Sequence, residues 1–148
     1  MSFFENTRKP QGFGGKLMTK MMNRGHAKLS QWGFSNISVN PDAAVLDVGC
    51  GGGANIVAWL NKCGNGHVTG MEKCFFEVNR VLKNGGTFLI CNESDGTNAT
   101  DEKWTKLIDG MKIYTSEQLV AALKEAGFRE IKTYSNTKNH WISIVAMR

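Results

Sequence analysis

The run Val45–Leu46–Asp47–Val48–Gly49–Cys50–Gly51–Gly52–Gly53 limits what this chain can fold into more than any other stretch. It reads as a buried strand that ends in an acid and opens into a glycine-rich turn. Ile56, Val57, Trp59 and Leu60 then give the following segment the apolar face of a helix. Glycines let a backbone adopt positive φ and approach a ligand closely. The helix N-terminus beyond them presents N–H groups without intrahelical partners. Strand, turn and helix in this order predict an α/β fold with a ligand crevice at the carboxyl end of a parallel strand.

Two cofactors fit such a crevice. Gly49-x-Gly51-x-x-Ala54 matches the dinucleotide fingerprint, and Glu72 falls about 20 residues further on, where a ribose-binding acid is expected. On that reading the chain binds NAD or FAD. Asp47 argues against it, because a carboxylate two residues before the first glycine repels a pyrophosphate. S-adenosylmethionine carries no phosphate. Its ammonium and sulfonium are both cationic and suit an acid beside the turn. A plain βα turn without ligand is the remaining reading, and five small residues in a row disfavour it.

On these residues the chain resembles the class I S-adenosylmethionine-dependent methyltransferases. Within them it is similar to the small-molecule branch labelled type 11. Leu46 to Gly53 matches the first motif of that family. Glu77 to Ile90 contains Arg80-Val81-Leu82-Lys83-Asn84-Gly85-Gly86, close to the family's RVLKPGG signature with Asn84 in place of proline. Tyr114 to Leu119, followed by Leu123 to Phe128, resembles its last helix and turn. The resemblance implies a Rossmann-like three-layer sandwich and methyl transfer to a small-molecule acceptor. It assigns Asp47, Gly49, Cys50, Gly51 and Gly53 to S-adenosylmethionine, with Glu72 on the ribose. The order of motifs also shows a departure. Met71-Glu72-Lys73-Cys74 already looks like the start of the late helix, so the middle strand–helix units of the family are missing. The resemblance therefore implies a domain abridged to about five strands with a C-terminal antiparallel hairpin. The alternative to an enzyme is a catalytically inactive, truncated module that serves as an oligomer or partner subunit.

Composition fits one soluble domain. The 148 residues are 41% hydrophobic and 21% charged. No apolar run approaches the length of a membrane span. Residues 1–20 lack the apolar core of a signal peptide. Cys50, Cys63, Cys74 and Cys91 are far apart and form no C-x-x-C, so zinc is not expected and reduced thiols suit a cytoplasmic protein. The net charge of +5 is uneven. Residues 1–40 carry Arg8, Lys9, Lys16, Lys20, Arg24 and Lys28 against Glu5 alone, and the remainder balances. The cations are dispersed, which favours a solvated helix face over nucleic-acid or membrane binding.

Residues 1–40 read as a basic helical arm or lid, with Pro10, Gly12 and Gly14 as breakers and a helix over 15–32. Met18, Met22, Leu29 and Trp32 share a face of it. Residues 41–148 form the methyltransferase-like domain. The late helix spans about 72–83 with Phe75, Val78, Val81 and Leu82 inward, and 87–91 is a buried strand. Thr100 is expected to cap a short helix. Thr115 and Gln118 have capping-box spacing, and Gly127 ends the last helix. Residues 129–134 and 141–147 read as an antiparallel pair. The expected strand order is second–first–third–fifth–fourth in one sheet. An exposed sheet edge would favour a homodimer or a strand-exchanged oligomer. His26, on the arm, and Glu93, after the third strand, are the candidate catalytic groups. His67, His140, Trp104 and Tyr114 are expected to be structural.

Overall fold

The computed structural model describes residues 11–48, 54–65, 67–71, 75–107 and 112–148. Helix α1 spans Gly12–Phe34. It starts three residues before the expected boundary, because Gln11 is extended and its carbonyl accepts from the Gly15 N–H at 3.0 Å. Glycine in a first turn weakens a helix without ending it. Met18 and Leu29 are buried as the spacing requires, whereas Met21 is exposed.

Strand β1 (Ala44–Val48) leads through α2 (Ala54–Lys62) to β2 (His67–Met71). β1 and β2 pair in parallel, with Asp47 opposite Gly70. A parallel pair needs a crossover helix, and α2 supplies it. Trp59 and Cys63, one turn apart, turn inward, while Val57 and Leu60 are exposed on the other side. The apolar face expected of this helix is therefore only half used.

Helix α3 (Phe75–Val81) precedes β3 (Thr87–Asn92). Val78 is buried, Phe75 and Leu82 pack beside it, and Val81 is exposed, contrary to its expected inward position. The turn after α3 uses Gly85 at φ +77°, a conformation that suits glycine. Helix α4 (Asp101–Leu107) starts with two acids, which favour the positive end of the dipole. Its expected Thr100 cap takes another form. The Thr100 hydroxyl donates to Asn98 Oδ1 at 2.9 Å.

Helix α5 (Ser116–Glu125) carries the expected capping box. Thr115 accepts from the Gln118 N–H, and the Gln118 side chain accepts from the Thr115 N–H at 3.0 Å. It ends at Gly127, φ +89°. Strands β4 (Arg129–Asn136) and β5 (Trp141–Met147) form the antiparallel hairpin, and β3 pairs antiparallel with the other side of β5.

The neighbours are thus β2–β1 and β3–β5–β4, with no ladder between β1 and β3. This departs from the single sheet expected. Over most of their length the Cα atoms of β1 and β3 stand more than 8 Å apart, whereas paired strands lie about 4.8 Å apart. Side chains join the two parts. Phe34, Trp59 and Cys63 are buried together, with Val45 of β1 and Leu89 of β3 packed against them. The Phe34 and Trp59 rings meet at 4.2 Å. The other face of β3–β5 holds the larger core. Leu119, Leu123, Phe128, Ile142, Ile144 and Ala146 fill it, with Phe88 and Ile90 against them. Each fully buried aliphatic there contributes about 1.5–3 kcal/mol. Among the described residues, no helix is long and apolar enough to cross a membrane.

Candidate functional site

Asp47 stands one residue from the end of β1, where the chain enters the glycine run. Strand alternation puts it on the same face as Val45, toward the Phe34–Trp59 cluster. Its Oδ2 is buried and accepts no hydrogen bond. Desolvation alone pushes its carboxyl above the usual range. A buried carboxylate oxygen without a partner is costly, and such exceptions call for an explanation. Such an oxygen is suited to accept from a cationic or N–H-bearing group. Gly49, Cys50, Gly51, Gly53 and Glu72 lie outside the described residues.

His26 and Glu93 are 67 positions apart in sequence, yet His26 Nε2 lies 2.8 Å from Glu93 Oε2. Helix α1 makes this contact by lying against β3. Leu89, Cys91 and Glu93 alternate onto the helix-facing side of the strand, and Gly33 sits directly over Cys91. A Cβ on Gly33 would overlap the Cys91 Sγ, so only glycine allows this approach. Two turns before Gly33, His26 reaches the end of β3. The hydrogen bond that His26 donates to Glu93 raises the imidazole above 6.5 against the opposing effect of burial. The same bond lowers Glu93. Burial pushes the Cys91 thiol up to about 11, so it is protonated and unreactive at neutral pH.

The loop after β3 is built on side-chain bonds. Asp95 Oδ1 accepts from the Thr97 N–H at 2.9 Å and the Thr97 hydroxyl at 2.6 Å. His140 Nδ1 lies 3.3 Å from Asp95 Oδ2. The Thr97 hydroxyl bond, then its backbone bond and His140, hold the Asp95 carboxyl below its usual value against desolvation. His140 thus ties this loop to the hairpin. Sequence reading did not foresee this link, although Asp95-Gly96-Thr97 is a recognisable side-chain-capped turn. Tyr114 is exposed, and the side chains of His67 and Trp104 lie outside the description. Among the described residues, no three His, Cys, Asp or Glu side chains could hold a metal ion.

This architecture is the class I S-adenosylmethionine-dependent methyltransferase fold. Human N-acetylserotonin methyltransferase, solved in complex with SAM, superposes with a TM-score of 0.68 at 12% identity, over 88% of this chain and 54% of that one. PigF, solved with SAH, gives 0.71 at 13% identity, over all of this chain and 62% of its own. An O-methyltransferase family protein from Burkholderia thailandensis gives 0.70 at 12% identity, over all of this chain and 64% of its own. The chain therefore spans between 54% and 64% of the length of these three proteins. No protein-family model matches the chain, and no curated protein matches it in sequence.

Proposed function

We propose that the chain binds S-adenosylmethionine and transfers its methyl group to a small-molecule acceptor. The observation that carries this reading is the buried, unpartnered oxygen of Asp47 at the entrance to the glycine run. It occurs in a fold shared with methyltransferases solved with SAM and SAH. Asp47 holds the cationic methionine end. On the family resemblance, Gly49, Cys50, Gly51 and Gly53 would line the cofactor and Glu72 would take its ribose hydroxyls. When bound, the cofactor supplies a methyl group made electrophilic by a positively charged sulfur.

His26 and Glu93 serve the acceptor. Glu93 fixes the imidazole tautomer by accepting from Nε2, which leaves Nδ1 free to take a proton from an acceptor hydroxyl. Glu93 therefore positions the base. Free thiols at Cys63 and Cys91 support a reducing, cytoplasmic setting.

The separation of β1 and β3 favours a second reading, a module without activity whose sheet is completed by strand exchange in a homodimer. A thermal-shift panel separates the two. Methyl transfer predicts stabilisation by S-adenosylmethionine and by its demethylated product, none by NAD, and loss of both shifts in Asp47→Ala. No shift with any ligand, together with a sedimenting dimer, would establish the second reading.

A further inference from the structure

The solvent face of α1 carries two features that neither the core nor the site uses. Lys16, Lys20, Arg24 and Lys28 recur every four residues, and all four are exposed. At 3.6 residues per turn they form one ridge along the helix. No acid occurs between Gly12 and Phe34, and none stands in the first turn, where the helix dipole is positive. None of the four makes an ion pair among the described residues. Like charges at this spacing repel, so the helix keeps the ridge at a cost.

Phe13, Leu17 and Met21 form a second ridge beside the first. They are 85%, 48% and 54% exposed. The helix therefore presents cations and large apolar side chains together to solvent, while Met18, Leu29 and Phe34 occupy its buried side. An exposed basic amphipathic face of this kind suits an interface that is anionic at its surface and apolar just beneath.

We infer that this face of α1 docks on an anionic lipid surface, with Lys16, Lys20, Arg24 and Lys28 on the headgroups and Phe13, Leu17 and Met21 inserted beside them. Charge complementarity selects this occupant. A second copy would set one cationic ridge against another, in a chain whose net charge is +5. A nucleic-acid backbone would satisfy the cations but leave the apolar ridge in water. The helix lies on the surface and does not span it. This goes beyond the sequence-based expectation that the basic arm is only solvated. It is independent of the methyl-transfer reading, since among the described residues none of these seven is ion-paired with Asp47, His26 or Glu93.

The test is flotation of the full chain with vesicles of phosphatidylcholine alone or mixed with phosphatidylserine, over a salt series. Binding to the mixed vesicles only, weakened by salt, is expected. Each Lys or Arg near such a surface adds roughly fivefold to binding, so Lys20→Gln with Arg24→Gln loses about 25-fold. Leu17→Ser should also weaken binding without altering the circular dichroism, because the side chain is exposed. No flotation with the mixed vesicles at low salt would overturn the proposal. So would equal binding to both vesicle types, or retention by a single-stranded oligonucleotide in place of vesicles.

Discussion

Asp47 holds a charge that the isolated protein does not repay. Its raised carboxyl pKa means that the folded state holds the proton more tightly than the unfolded chain does. Its contribution to stability is thus greatest in acid and is lost as pH rises through the raised value. Asp47→Asn should therefore raise the melting temperature of the free protein at neutral pH, while abolishing the shift caused by S-adenosylmethionine. A gain in stability with a loss of binding marks a residue kept for its ligand. His26 and Glu93 have opposite signs. The His26 contribution is complete below 6.5 and lost as pH rises through its raised value. The Glu93 contribution is present above 4.5 and lost as pH falls through its lowered value. The pair therefore binds α1 to β3 best between these two limits, and a melting curve of Glu93→Gln should differ most from wild type there. Both groups are substantially exposed, so the difference will be small. If Nδ1 is the base, activity rises with pH as His26 loses its proton. Glu93→Gln should move that acidic limb to lower pH, a displacement that lost packing alone would not cause.

At the scale of elements, local chemistry was legible and distant contact was not. The capping box at Thr115 and Gln118, the stop at Gly127 and the hairpin all follow from residues within a few positions of one another, and the structure has them. Thr115→Ala should cost about 1 kcal/mol in a urea melt. The strand carrying the acid and the helix that follows it were legible for the same reason. The pairing of His26 with Glu93 was not, although each residue was singled out, because it depends on how closely α1 can approach β3. Gly33 sets that distance and gave no signal in the sequence, where a glycine near a helix end reads as a stop. Gly33→Ala should destabilise by about 1–3 kcal/mol through overpacking, despite the better helix propensity of alanine. Cys91→Ala should restore much of the loss, since the thiol sulfur is what the new methyl group meets.

At the scale of the molecule, the five strands among the described residues fall into two groups held together by side chains. From the few residues between β2 and the late helix, the sequence reading expected a shortened middle. The consequence for the sheet was not legible. Instead of closing the gap, β3 stays apart from β1, and Phe34 and Trp59 occupy the junction between Val45 and Leu89. Among the described residues, β1 and β3 each pair on one side only. Asp47 lies near the carboxyl end of β1 and Glu93 just after β3, and open α/β sheets bind ligands outside the carboxyl ends of their strands. Calorimetric titration of S-adenosylmethionine and of NAD into the wild-type chain and into Asp47→Ala tests this arrangement most directly. Saturable heat with S-adenosylmethionine in the wild type alone, and none with NAD, is the predicted result. Binding that survives Asp47→Ala, or heat with NAD and none with S-adenosylmethionine, would contradict it.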